Sequence, residues 1–113
     1  MKILIKYTNL DSTSAIDAYI NEKIGGLEKF IQSLEKNNEV IARVEISHTT
    51  KHHQKGPVHR AEVNLDFPGY VLRAEKEDWD IRIAIDQVRD ALQREIKKYK
   101  EKRQSQENRG QAE

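Results

Sequence analysis

Lys2–Tyr7 alternates, with Ile3, Ile5 and Tyr7 on one side and Leu4 and Lys6 on the other, the period-two signature of a strand with one apolar face. A polar stretch follows, in which Asp11, Ser12, Thr13 and Ser14 offer N-caps. Ile16, Tyr19, Ile20, Ile24, Leu27, Phe30, Ile31 and Leu34 then recur at three- and four-residue steps, which predicts an amphipathic helix. The pattern continues across Gly25-Gly26, so one helix is expected, with the glycine pair as its bend. After a polar break at Glu35–Glu39, alternation returns: Val40, Ala42, Val44 and Ile46 share a face, and so do Ala61, Val63, Leu65 and Phe67. Lys51–Pro57 reads as a loop, and Pro68-Gly69 as a tight turn into a last strand, Tyr70–Glu77. From Trp79 the period becomes helical, with Ile81, Ala84, Ile85, Val88, Leu92, Ile96 and Tyr99 in one stripe. Gln104–Glu113 has no apolar periodicity.

The order is β-α-β-β-β-α. Alternating strands beside helices with one apolar stripe imply an α+β fold: a four-stranded sheet with two helices packed on one face and the other face polar. We expect one domain over residues 1–103 and a disordered polar tail over 104–113. Trp79 is expected to staple the second helix to the sheet. Val40–Thr49 and Val58–Phe67 are the strands expected to present an edge for self-association, although the chain is expected to be a monomer in solution.

Composition sharpens this picture in two places. The chain has no cysteine, which removes disulfides, thiolate metal sites and cysteine nucleophiles, and no apolar run long enough for a membrane span, so a cytoplasmic protein is expected. The net charge is only +1, but it is unevenly placed: Arg94–Arg103 holds six basic residues against two acids. Such a stripe attracts polyanions that the mean charge does not suggest. On a helical wheel, Arg82, Arg89, Lys97 and Lys100 flank one edge of the apolar stripe, and Arg94, Lys98 and Lys102 the other. For a charge run taken alone, ordinary solvation with ion pairs such as Asp86–Arg89, Asp90–Arg94 and Glu95–Lys98 is the favoured account.

Other chemistry is thinly represented. His48, His52, His53 and His59 surround a polar loop without a nearby acid pair, a poor start for a zinc site. The carboxylates are dispersed, and there is neither a glycine-rich phosphate loop nor a nucleophile–base spacing. No enzyme, no metal, no cofactor and no small-molecule substrate are expected.

Three stretches carry a family resemblance. Ala15-Ile16 with Leu27-Glu28-Lys29-Phe30 on the first helix, Gly69-Tyr70-Val71-Leu72-Arg73-Ala74-Glu75 in the hairpin, and Ala84-Ile85-Asp86 with Leu92-Gln93-Arg94-Glu95-Ile96-Lys97-Lys98-Tyr99 on the second helix resemble, in order and spacing, the ribosome hibernation-promoting and ribosome-associated inhibitor family. The resemblance implies the same fold and binding to the small ribosomal subunit, at the RNA channel where messenger and transfer RNA would lie, so that translation is blocked. It implies that Lys23 and Lys29 with Arg94 and Lys98 contact RNA, with Arg82, Arg89, Lys97 and Lys100 as further candidates. The family commonly carries lysines where this chain has Gly26 and Ala91, and an aromatic where it has Arg82. Longer members add a C-terminal domain that pairs ribosomes; this chain looks like a short form. Alternative readings are a general double-stranded RNA-binding module and a protein-interaction module using the polar sheet face. About six phosphate contacts would give a log K against log salt slope of about −4 to −5.

Overall fold

The computed structural model describes residues 1–35, 39–50 and 57–112, so the expected loop at Lys51–Pro57 lies almost wholly outside the described residues. Strand β1 (Lys2–Thr8) leads through helix α1 (Ser14–Gly25) and the short helix α2 (Glu28–Ile31) to a meander of β2 (Ile41–Thr50), β3 (Pro57–Phe67) and β4 (Tyr70–Asp78), and helix α3 (Ile81–Ala112) closes the fold. The sheet order is β1-β2-β3-β4. β1 runs parallel to β2, with Ile5 opposite Val44. The other two pairs are antiparallel, with Val44 opposite Val63 and Val63 opposite Ala74. β2 and β3 are therefore the central strands; the edges belong to β1 and β4, which corrects the expectation that β2 and β3 present one. The reason is topological: the crossover through α1 returns the chain beside β1, and each later strand adds outward.

Alternation does its work on one face only. Ala42, Val44, Ile46, Ala61, Val63, Leu65 and Phe67 form a core with Ile20, Ile24, Leu27 and Ile31 of the first helical segment and Ala84, Ile85, Val88, Leu92 and Ile96 of α3. α1 lies against β1 and α3, while α3 covers β3 and β4. The Pro68–Gly69 turn places Gly69 at φ +85°, where an L side chain is strained. The hairpin so formed stacks Tyr70 on Tyr99 of α3, ring centroids 4.0 Å apart, with Phe67 4.6 Å beyond Tyr70.

Two helical boundaries differ from expectation. Thr13 caps α1, its Oγ1 accepting from Ile16 N at 3.1 Å. The helix does not continue across the glycine pair: α1 ends at Gly25, and shorter-range bonds from Leu27 N to the Ile24 carbonyl (3.0 Å) and from Phe30 N to the Leu27 carbonyl (2.9 Å) re-aim the chain into α2. Apolar spacing survives this break because both pieces rest on the same core. At the other end, α3 runs to Ala112, so residues 104–112 are helical where a disordered tail was expected. Residues 101–106 are all exposed. Lengthening an existing helix needs no new nucleus, and Lys, Glu, Arg and Gln are good helix formers. Over residues 104–106, lack of apolar periodicity reports lack of packing, not lack of helix.

Candidate nucleic-acid interface

The first helical segment lies alongside α3, and the seam between them gathers most of the predicted site. At its upper end, the Tyr19 ring of α1 has the Lys23 ammonium and the Arg82 guanidinium each 5.5 Å from its centroid. Its hydroxyl donates to Asp86 Oδ1 at 2.6 Å, joining α1 to α3. That hydrogen bond, with burial adding to it, pushes the phenol up to about 12. Asp86 is thereby engaged by Tyr19, and Arg89, expected to pair with it, donates instead to Gln93 Oε1 at 2.8 Å and to Asp90 Oδ1 at 3.3 Å. Below, Glu22, Lys23 and Gly26 face Asp86, Arg89 and Asp90 across a polar cleft of about 480 Å³.

At the lower end the seam opens into a groove of about 510 Å³ between α2 and α3. Phe30 and Ile96 supply apolar surface, and Arg94, Lys97 and Lys100 supply charge. Lys29 holds its ammonium 5.2 Å from the Phe30 centroid. Among the described residues, no carboxylate forms an ion pair with Arg94, Lys97 or Lys100.

Lys23, Lys29, Arg82, Arg89, Arg94, Lys97 and Lys100 thus lie along one seam. Lys98 does not line it: it is 73% exposed and its Nζ lies 3.7 Å from Glu95, the ion pair expected at that spacing. The helical wheel had set Arg94 with Lys98, on the side opposite Lys97. The structure joins Arg94 to Lys97 and Lys100, because α2 packs beside α3 at this level and turns the outer face of α3 into a groove wall. Sequence reasoning assigned Phe30 and Tyr19 to the core and passed over Gln93. Their only signal was position at the margin of an apolar stripe.

One further expectation is corrected by geometry. Trp79 does not staple α3 to the sheet; it is 56% exposed. Asp80 caps the helix, accepting from Arg82 N at 2.9 Å, and Ile81 takes the packing position against the core. His59 Nδ1 lies 3.0 Å from the Trp79 carbonyl, and the His48 and His59 rings are 5.1 Å apart. His52 and His53 fall outside the described residues. Among the described residues no cluster of three or more His, Cys, Asp or Glu is arranged to hold a metal, and no helix is long and apolar enough to cross a membrane.

The opposite face of the sheet is built differently. Arg60 pairs with Glu62 at 2.5 Å and with Glu75, Arg73 reaches Glu75 at 2.9 Å and Glu62 at 3.3 Å, and Arg43 holds Asp66 at 2.6 Å. The Arg60 hydrogen bond is the main reason that the Glu62 carboxyl sits below its ordinary range.

Residues 3–104 match the sequence model of the family described as Sigma 54 modulation protein / S30EA ribosomal protein. The chain belongs to this family. It is 36% identical over 100 residues to the ribosome hibernation promotion factor of Lactococcus lactis, covering 88% of this chain and 50% of that protein. Over 102 residues it is 30% identical to the protein of the same name from Picosynechococcus, covering 90% of this chain and 50% of that one. The chain spans about half the length of these curated relatives. Among solved structures it resembles the N-terminal domain of Thermus thermophilus Protein Y, with a TM-score of 0.68 and 33% identity over 88% of this chain and 99% of that one. The α+β fold with its β-α-β-β-β-α order is thus the fold of a known relative.

Proposed function

We propose that this chain is a ribosome hibernation factor that binds small-subunit RNA through the seam between its helices and silences translation by occupying the channel that messenger and transfer RNA would use. The observation that carries the reading is the alignment of seven basic side chains along one seam, in a member of a family whose relatives bear that name. From Arg82 to Lys100 the seam extends about 27 Å at 1.5 Å per residue, long enough to meet several phosphates. Lys98 is left out of the contact set and belongs to solvent.

The mechanism is occlusion. The seam is built on two helices fixed to one core, so its cations are held at spacings that folded RNA either matches or does not. Each phosphate neutralised releases counterions, which supplies affinity without sequence readout, while shape supplies the choice of site. Nothing in this requires a cofactor or a bond to be broken, and a ribosome-bound monomer in the cytoplasm suffices. The polar sheet face is a weaker candidate for a partner, because its arginines and carboxylates already satisfy one another.

The test is co-sedimentation of the full chain with isolated ribosomal subunits over a salt series. Saturable, salt-sensitive binding to the small subunit is expected, lost in Lys97→Glu/Lys100→Glu and retained in Lys98→Glu. Binding to neither subunit, or equal binding to any RNA duplex, would overturn the reading.

A further inference from the structure

The groove between α2 and α3 contains more than a grip on phosphates requires. Cations at a helix surface suffice for that. Here Arg94, Lys97 and Lys100 stand around an apolar floor of Phe30, half-buried, and Ile96, only 1% exposed. The volume, about 510 Å³, is that of a small-ligand site. A ligand matching such a floor and rim is flat and apolar at one end and carries phosphate at the other.

We propose that the groove receives one nucleotide extruded from an RNA strand, its base lying against Phe30 and its flanking phosphates held by Arg94, Lys97 and Lys100. Unstacked bases in loops and bulges are what proteins read on RNA, and aromatic rings are the usual platform for them. Gln93 lines the groove, and its Oε1 accepts from Arg89 at 2.8 Å, which leaves the amide N–H groups to donate to a ring nitrogen or carbonyl. Asp90 and Glu101 line the same groove and accept from exocyclic amines while disfavouring further phosphate there. An acidic peptide with an aromatic side chain would match the groove alone. RNA is favoured because the groove ends a cationic seam running back to Arg82, which suits a polymer of phosphates and exceeds the reach of one peptide side chain. The inference rests on the proposed function for the identity of the polymer, and it adds a base-recognition site to it.

The experiment compares binding of the full chain to two RNA hairpins, one with a single bulged adenosine and one in which that bulge is abasic, so that only the base differs. The intact bulge is expected to bind about 5- to 150-fold more tightly, the range found for one base stacked on an aromatic ring. Phe30→Leu keeps apolar volume and should abolish the preference with the salt slope unchanged; Phe30→Trp should strengthen it. Circular-dichroism melts confirm that both variants fold, and the abasic comparison on the unaltered protein stands without them. Equal binding of the two hairpins overturns the nucleotide site, as does displacement of the bulged hairpin by a glutamate–tyrosine copolymer at lower concentration than by unlabelled RNA. Equal hairpins with retained co-sedimentation sink the groove and spare the ribosome reading. A bulge preference without co-sedimentation does the reverse.

Discussion

The two faces of this molecule carry similar residue types and use them in opposite ways. On the open sheet face, Arg43, Arg60 and Arg73 lie among cross-strand carboxylates, and each of the three arginines is paired within the protein. Along the helical seam, Lys23 and Arg82 rest on Tyr19, Lys29 on Phe30, and Arg94, Lys97 and Lys100 ring a groove. Pairing distinguishes the two faces. A β-sheet places side chains from neighbouring strands about 5 Å apart, so opposite charges find each other across it. A helix surface spreads like charges along a line where α2 supplies apolar surface in place of acids.

Five variants would break or sharpen that contrast. The largest effect belongs to the seam: Arg94→Ala/Lys97→Ala/Lys100→Ala should weaken small-subunit binding more than about 10-fold and lower the salt slope by about 2 to 3, as three lost phosphate contacts require. Arg43→Ala/Arg73→Ala, removing charge from the sheet, should leave that binding within about twofold; a comparable loss would erase the distinction between the faces. Next in size is the cost of the sheet network itself. Arg60→Ala leaves Glu62 opposite Glu75 and should destabilise the fold by about 1 kcal/mol in urea melts at pH 7. Because the folded Glu62 carboxyl is depressed, its contribution is present above the ordinary carboxylate value and is lost as pH falls through the folded one. The difference between variant and parent should therefore shrink toward pH 3.

Tyr19→Phe tests the rigidity of the seam and should cost about 1 kcal/mol through loss of the bond to Asp86. A phenol raised to about 12 stabilises the fold fully below its ordinary value near 10 and loses that contribution as pH climbs through 12. The melting difference should thus be the same at pH 7 and pH 9, and a difference that faded by pH 9 would mean the hydroxyl is not held by Asp86. The smallest effect is expected at Lys98→Glu, which should alter subunit binding by less than about threefold, since that side chain is largely exposed and lies beside Glu95.

Much of this architecture is legible in the sequence, and the exceptions have physical causes. Period-two alternation over Val40–Ile46 and Ala61–Phe67 identifies strands and their buried faces, because burial on one side of a sheet imposes it. Alternation carries no information on neighbours, and so it does not identify the edge strands. Apolar spacing runs through Gly25-Gly26 although the helix breaks there, because it records the core beneath a segment and not the hydrogen bonding within it. For the proposed site, residue type and family resemblance single out the basic candidates, but a wheel drawn for α3 alone cannot show which side α2 will approach. Phe30, Gln93 and the grouping of Arg94 with Lys97 became visible only with that packing. Trp79 shows the converse: a large apolar residue beside a helix start invites a packing role, yet Ile81, two residues on, had already filled it.

The parallel pairing of β1 with β2 has a consequence for the order in which the molecule assembles. β3 and β4 are joined by a two-residue turn and β2 precedes them directly, so the meander and α3 bring together parts of the chain that are close in sequence. β1 meets its partner only after the whole first helical segment has been laid across the sheet, and closing that span must precede any gain from pairing. Within the sheet, β1 is thus the strand whose pairing closes the longest stretch of chain. It is also an edge strand, and Lys2 and Lys6 on it put charge where a foreign strand would otherwise pair.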